Sequence, residues 1–530
     1  MFIDFDDQSH AIPDHTDVCI VGAGVMGLAI ASHLLAHSQR RVLLVEEGGL
    51  EDTESSSAVP AERHGGDVAS AVAGSRAMGF GGSSRRWGGQ ALPFSPLDLA
   101  DRPFLGERGG WPISWEELNR FYPAVDRFLG LTPLPFDTDL WRNRQVTTPF
   151  AGGQELELSI SKYSPHAYLA AVHQQGIARS QQATCLLHAK VASLGLDTSG
   201  TRVQSLRIRS RQGREATISV HVVVLCAGGI DNPRILLASK RENGEAIGNH
   251  HDLVGRYYQD HVGFFAAQLE PLDWTLFHQL FASFVPGDQK YVPKLQLSQD
   301  LQRQMQLLNV IGNLDVSEAE DSPRNRARRL YHALRRKRPQ NDSVRSNLRD
   351  LKHLLASTPE TLALLSSHLV QRRIAIPRGA RYFLMANAES EPLHESRIIL
   401  TEHKDAHGLD QPQVNWLLSE LTLKALKRYG EALKNTLEPA GIASVKLSPY
   451  LTDPAANWKE RAYSLYHHMG ATRMSATPHK GVVDPFGRVH GLGNLYLAGT
   501  SVLPTGSSSN PSYTALALAF RTAHQILLDG

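Results

Sequence analysis

The sequence predicts an α/β protein in which an open sheet is assembled from separated segments, with a second, α+β unit on a mixed sheet beside it. Three observations predict this. Residues 17–21 (Asp-Val-Cys-Ile-Val) form a short apolar run followed by a glycine turn and a helical pattern, the start of a βαβ unit. Residues 217–225 alternate and then become wholly apolar, as a strand entering a sheet covered on both faces does. At 530 residues the chain exceeds one ordinary domain.

In the first unit, the turn is Gly22-Ala23-Gly24-Val25-Met26-Gly27, the helix covers 28–36, and a second strand at 41–45 ends in Glu46. That places an acid about 20 residues beyond the turn, where a carboxylate bonds a ribose hydroxyl. The glycines divide the work: Gly22 makes the tight turn, Gly24 lets backbone N–H groups approach a pyrophosphate, and Gly27 allows close helix packing. Glu46 favours a cofactor with a free 2′-hydroxyl and disfavours NADP, but leaves FAD and NAD open.

A second glycine-dense run, Gly79-Phe80-Gly81-Gly82-Ser83-Ser84-Arg85-Arg86-Trp87-Gly88-Gly89-Gln90, separates those two. It lets main chain pass close to a flat ligand, which suits an isoalloxazine ring better than a mobile nicotinamide. The C-terminal part adds Tyr466-His467-His468-Met469-Gly470, then 494–501, then Gly506-Ser507-Ser508-Ser509-Asn510-Pro511. An imidazole takes an alcohol proton near neutral pH, a carboxamide orients the same oxygen, and a dinucleotide takes the hydride. Together they point to alcohol oxidation.

On these motifs the chain resembles the glucose-methanol-choline (GMC) oxidoreductases, flavoenzymes, over nearly its whole length. Further family-like pieces are 222–237, with Ala227-Gly228-Gly229 and Asn232-Pro233, then 254–261 and 389–400, the last read as a strand entering the substrate domain. Trp87, the phrase Gly109-Gly110-Trp111-Pro112-Ile113 and Asn510-Pro511 make it most similar to the branch that oxidises sugars and glycosides, including aminosugar natural products. The resemblance implies a Rossmann-like FAD-binding domain from 1–90, 186–240 and 461–530, with 91–185 and 241–460 as substrate-binding domain and linkers. It implies that Gly22, Gly24, Met26, Gly27, Glu46, Gly82, Ser83, Arg86, Trp87, Gly88, Gly89, Val191, Ala227, Gly228, Gly499, Thr500, Asn510 and Pro511 hold FAD, with Val191 near the adenine.

The family's base, the histidine of a His-x-x-Gly pattern, falls on His467, with His468 as competitor, and its histidine-or-asparagine partner falls on Asn510. The implied reaction passes a hydride to flavin N5 while His467 takes the proton and Asn510 holds the oxygen. Arg86 stands where some sugar-oxidising relatives attach flavin through histidine, so FAD is expected to bind non-covalently. The reoxidant is oxygen, a quinone or a redox partner. Oxidation of a non-sugar alcohol, a nicotinamide dehydrogenase, a flavin-dependent lyase and a non-catalytic scaffold remain the alternatives.

Hydrophobic residues make up 42% and charged residues 20%, ordinary for a packed globular protein, and the formal charge of +2 gives no attraction to nucleic acid. The acidic N-terminus lacks a signal-like apolar run and no stretch reaches the roughly 20 apolar residues of a membrane span, so a cytoplasmic location is expected. Cys19, Cys185 and Cys226 are expected as reduced thiols, two of them in apolar strand-like runs, and no metal-ligand spacing is present. A basic stretch at 324–338 has helical spacing; it is either a solvated face or a docking element for an acidic partner or anionic lipid. Trp111, Trp274, Trp416 and Trp458 serve either as sugar-stacking platforms or as core.

Overall fold

The computed structural model describes residues 1–50, 64–68, 76–133, 135–136, 155–166, 168–285, 287, 289–318 and 372–529, with five isolated positions between 322 and 352. The expected basic helix at 324–338 lies outside the described residues apart from positions 325, 326 and 329.

The first sheet has β1 (Phe2–Asp4), β7 (Ala183–Leu187), β3 (Val42–Val45), β2 (His15–Val21) and β10 (Glu215–Leu225) side by side and parallel. The long β10 serves two partners. Its first half pairs antiparallel with β9 (Val203–Arg209), which continues to β8 (Lys190–Leu196), and its last residues pair parallel with β19 (Leu495–Leu497). Between β7 and β8, His188 takes a positive φ of 56° and turns the chain.

The helix Val25–His37 follows β2, and the C-terminal helix Pro511–Leu528 lies against it. Their apolar sides share one core with Val18, Ile20, Leu44 and Val224. Gly22 makes this hand-over from strand to helix possible. Its φ is 99°, and a Cβ there would stand 2.7 Å from the Cys226 carbonyl oxygen, so only glycine fits.

The second sheet runs β17 (Ala443–Leu447), β11 (Val262–Pro271), β14 (Arg381–Ala388), β13 (Val310–Ser317), β12 (Tyr291–Leu297), β6 (Leu156–Tyr163) and β5 (Gln90–Ala91), with β18 (Tyr463–Ser464) on β11. Where a mixed sheet was expected, these pairings are all antiparallel. Neighbours such as β12 and β13 run straight back on themselves, and parallel pairing would need a crossover. The mixed pairing lies in a small sheet alongside, β15 (Arg397–Lys404), β16 (Asp410–Trp416) and β4 (His64–Gly66). Residues 389–396, expected as the start of a strand, form the turn between β14 and β15.

Helix Glu420–Leu437 backs the second sheet. Ser419 caps it by accepting from the Thr422 N–H, and its buried stripe includes Leu426, Tyr429 and Leu433. Each such fully buried side chain contributes roughly 1.5–3 kcal/mol. Several side chains from the segment assigned to the substrate unit instead join the core beside the first sheet: Phe94, Leu99, Ile113, Leu118, Tyr122 and Val125. The two cores therefore interleave along the chain, and the site forms where they meet.

Candidate active site

A cavity of about 620 Å³ begins at the carboxyl ends of β2 and β3, passes between the glycine turn and the 82–88 segment, and reaches the histidines of the C-terminal part. Of the residues expected to hold the cofactor, Gly22, Gly24, Met26, Glu46, Gly82, Ser83, Arg86, Trp87, Gly88, Val191, Ala227, Gly228, Gly499, Thr500, Asn510 and Pro511 line it. Gly27 and Gly89 lie off the lining. Gly27 packs under the turn, where a Cβ would stand 2.0 Å from the Gly22 carbonyl oxygen, and Gly89 instead accepts a hydrogen bond from the Ser164 N–H.

The cavity fits a dinucleotide on its own chemistry. Gly24 is the N-cap of the 25–37 helix and lends it no side-chain cap, so the first N–H groups and the helix dipole are open to an anion. Gly24 and Gly82 approach so closely that a Cβ on Gly82 would lie 2.8 Å from the Gly24 Cα, which keeps this passage lined by main chain. Glu46 accepts from the backbone N–H groups of Ala23, Gly48 and Gly79 at 2.8–3.0 Å. Burial pushes its pKa up to about 7, against three N–H groups that favour the carboxylate. Further lining residues were not among those expected to hold the cofactor. Arg234 donates to the Val191 carbonyl at 2.8 Å and pairs with Asp231, which Arg76 also holds; these cations keep Asp231 at about 2, overcoming the opposing effect of its burial.

At the far end, an antiparallel bridge between Gln259 and Met469 sets His261 opposite His467. One residue after His261 the pairing is Val262 with Ser464, so Leu465 and Tyr466 bulge out of the ladder. Tyr466 takes the strain of this bulge with a φ of 64°, and Asp260 pins the loop by accepting from the Ser464 hydroxyl at 2.5 Å and the His467 N–H at 2.8 Å. Burial pushes Asp260 up to about 7.

His467 is placed between two partners. Its Nδ1 lies 2.8 Å from Nδ1 of His261, and its Nε2 lies 3.4 Å from Nδ2 of Asn510. His261 Nε2 in turn lies 3.1 Å from the Gly506 carbonyl oxygen, and Lys294 Nζ, from β12, lies 3.5 Å from Asn510 Oδ1. Burial holds the His467 pKa well below that of an ordinary histidine, helped by His261, Lys294 and His468. Asn510 sits at the N-cap position of the 511–528 helix but makes no cap bond, which leaves its carboxamide to the site. His468 also lines the cavity, with its Nδ1 2.6 Å from the Tyr258 hydroxyl and its carbonyl accepting from Thr500.

Of the four tryptophans weighed as sugar platforms, Trp416 and Trp458 are buried in the second core. Trp274 stacks on Phe277, and Trp111 donates to Thr505 at 2.7 Å beside a separate cavity. Trp87 is the tryptophan that reaches the main cavity. Cys19, Cys185 and Cys226 are buried and unpaired with one another. Among the described residues no cluster of three or more His, Cys, Asp or Glu suits a metal ion, and no helix is long and apolar enough to cross a membrane.

A parallel sheet with a helix N-terminus on a dinucleotide cavity, and an imidazole and carboxamide at its far end, defines a flavin-dependent oxidoreductase. Residues 17–242 match the family model described as FAD dependent oxidoreductase and residues 392–519 the one described as GMC oxidoreductase; the chain combines an FAD-dependent oxidoreductase domain with the C-terminal domain of the GMC oxidoreductases and is an FAD-dependent alcohol oxidoreductase. The 6'''-hydroxyparomomycin C oxidase of Streptomyces lividus is 22% identical over 96% of this chain and 91% of its own length. The fructose dehydrogenase large subunit of Gluconobacter japonicus is 25% identical over 58% of this chain, and that match spans 47% of the subunit. Among solved structures, a fungal aryl-alcohol oxidase aligns with a TM-score of 0.59 at 16% identity, over 98% of this chain and 99% of its own. Pyridoxine 4-oxidase from Mesorbium loti aligns at 0.55 and 18% identity, over 97% and 99%. At these identities the structural likeness speaks to the fold.

Proposed function

We propose that this enzyme oxidises an alcohol carbon on a sugar, glycoside or aminosugar, with His467 as base and Asn510 as the donor that holds the substrate oxygen. The observation that carries this is the approach of His467 Nε2 to Asn510 Nδ2, 3.4 Å, on the wall of the cavity that the glycine motifs line. A neutral imidazole accepts a hydroxyl proton at its bare nitrogen, and a carboxamide N–H donates to the oxygen that loses it. Bound FAD supplies the hydride acceptor. The main chain of Gly24 and Gly82 with the helix N-terminus would hold its pyrophosphate, Glu46 and Val191 its adenosine end, and Trp87, Gly88, Gly499 and Thr500 its ring system and linker. The surrounding walls position the carbinol carbon and exclude water.

The names of the relatives support the substrate class: an oxidase of 6'''-hydroxyparomomycin C, a paromamine 6'-oxidase of Streptomyces fradiae and a fructose dehydrogenase large subunit. The test is an anaerobic screen of sugars, glycosides, aminoglycosides and simple alcohols, following the bleaching of the bound flavin. Bleaching by sugar-like substrates supports the reading; bleaching by simple alcohols alone overturns its substrate class. A purified protein without a flavin spectrum would return the nicotinamide alternative. Reoxidation by air, by a quinone or by a soluble dye then assigns the acceptor.

A further inference from the structure

We infer that His261 and Lys294 are positioning residues that clamp the proposed catalytic pair from both ends, fixing the proton on Nδ1 of His467 and turning the N–H₂ of Asn510 toward its bare Nε2. This rests on the reading of His467 as base. The five groups form one line of contacts: Gly506 carbonyl, His261, His467, Asn510 and Lys294.

Each end has only one hydrogen-bonding sense. A carbonyl oxygen accepts, so His261 Nε2 carries the proton and its Nδ1 is bare. His467 Nδ1, 2.8 Å away, must then donate, and His467 Nε2 is left as the acceptor. From the other end, an ammonium donates, so the Asn510 atom facing Lys294 is the oxygen and the atom facing His467 is the N–H₂. That again makes His467 Nε2 the acceptor. Two independent termini, one on the 506–510 loop and one on β12, thus impose the same direction on the line. Reversing it would set two bare nitrogens against each other between His261 and His467, or a bare His261 Nε2 against the Gly506 carbonyl, and at the other end leave a buried ammonium against an amide N–H₂.

The burial of the line makes the constraint strict. His261 is fully buried, and Lys294 is 2% exposed with no carboxylate within ion-pairing distance among the described residues. A buried group with a broken hydrogen bond keeps its full desolvation penalty, so the line has no cheap alternative arrangement. Lys294 also acts through space. The groups facing His467 are His261, His468 and Lys294, with Asp260 bonded to its backbone N–H, and Lys294 is the cation among them that opposes formation of an imidazolium. Burial lowers Lys294 itself to about 8.

The experiment uses the FAD-loaded protein with ¹⁵N-labelled histidine, with signals assigned by difference from His467→Ala and His261→Ala. In the wild type the nitrogen shifts should report His467 protonated on Nδ1 and bare on Nε2, and His261 the reverse. His261→Phe should lose this single tautomer and slow flavin reduction by about 10² or more, since a catalytic histidine in the wrong tautomer loses up to about 10⁴. His261→Asn, whose Oδ1 accepts where Nδ1 did, should restore both. Lys294→Met should slow reduction about tenfold and move the acid limb of its pH profile upward, whereas Lys294→Arg should keep that limb in place; a purely structural role would not move it. A His467 protonated on Nε2 in the wild type overturns the clamp. So does a Lys294→Met variant with an unshifted acid limb. Neither result touches the assignment of the base, which fails separately if His467→Ala reduces flavin at the wild-type rate.

Discussion

His468 and Tyr258 hold each other, imidazole Nδ1 to phenol oxygen at 2.6 Å, and this contact gives two neighbouring histidines that both reach the cavity different surroundings. Burial pushes His468 down to about 3, and its carbonyl is taken by Thr500. His467, one residue earlier, has Asn510 at its Nε2. Alternation along the extended segment sends one imidazole to each partner.

Replacing His467 by Ala is therefore expected to leave FAD bound while slowing flavin reduction by about 10²–10⁴, the usual contribution of a positioned base. Asn510→Ala removes orientation without removing the proton acceptor and should cost less. His468→Ala should disturb Tyr258 without abolishing reduction. Rapid anaerobic mixing with a substrate from the screen reads all three, and fast reduction in His467→Ala with slow reduction in His468→Ala would reverse the assignment.

The pH dependence follows from the direction of the His467 shift. Burial and the charges facing it disfavour the imidazolium, so the folded pKa lies well below the reference value of 6.5. The neutral form is the one that accepts a proton, so the reductive rate should be flat through neutral pH and fall only in acid. A stopped-flow profile whose midpoint coincides with that of a free histidine, about 6.5, would contradict this.

The front of the site was legible because its chemistry is local. A strand, three glycines, a helix and a terminal acid sit within 30 residues, and each has a geometric reason to be what it is. Lys294 and Arg76 escaped altogether, while His261, Asp231 and Arg234 lay in the family-like pieces 254–261 and 222–237 without a site role assigned to them. His261 and Lys294 come to His467 and Asn510 across 206 and 216 residues of sequence, so only the pairing of Gln259 with Met469 and the register of β12 bring them in. The second sheet's antiparallel pairing was hidden for the same reason, since its order depends on long connections. The tryptophans illustrate the reverse: residue type alone did not distinguish Trp87 in the cavity from Trp416 in the core.

A stability prediction concerns Arg102 and Glu389, which join the two cores. The guanidinium meets the carboxylate through two bonds of 2.7 Å, with side chains 5% and 0% exposed, and Glu389 also accepts from the Asn309 N–H. Truncating one partner of a buried pair leaves the other charge uncompensated, so Arg102→Ala should cost about 3–5 kcal/mol. Denaturant unfolding of the holoenzyme measures it. A loss below about 1 kcal/mol, the range of exposed pairs, would mean that solvent reaches the pair.

Non-covalent FAD is the last expectation, and it follows from what the 82–88 segment offers. Arg86 and Trp87 line the cavity where a linking histidine would be needed, and neither a guanidinium nor an indole forms that bond under ordinary conditions. The nearby nucleophiles are poorly disposed. Cys226 is buried and its thiol is pushed up by burial, which keeps it from the reactive thiolate form, and Tyr163 is likewise raised by burial. Acid precipitation should therefore leave the yellow colour in the supernatant, with an intact-protein mass equal to that of the bare polypeptide. Flavin fluorescence retained on the denatured band would overturn the expectation, and peptide mapping would then decide among Tyr163, Cys226, Tyr466, His467 and His468, the remaining lining residues able to carry such a link.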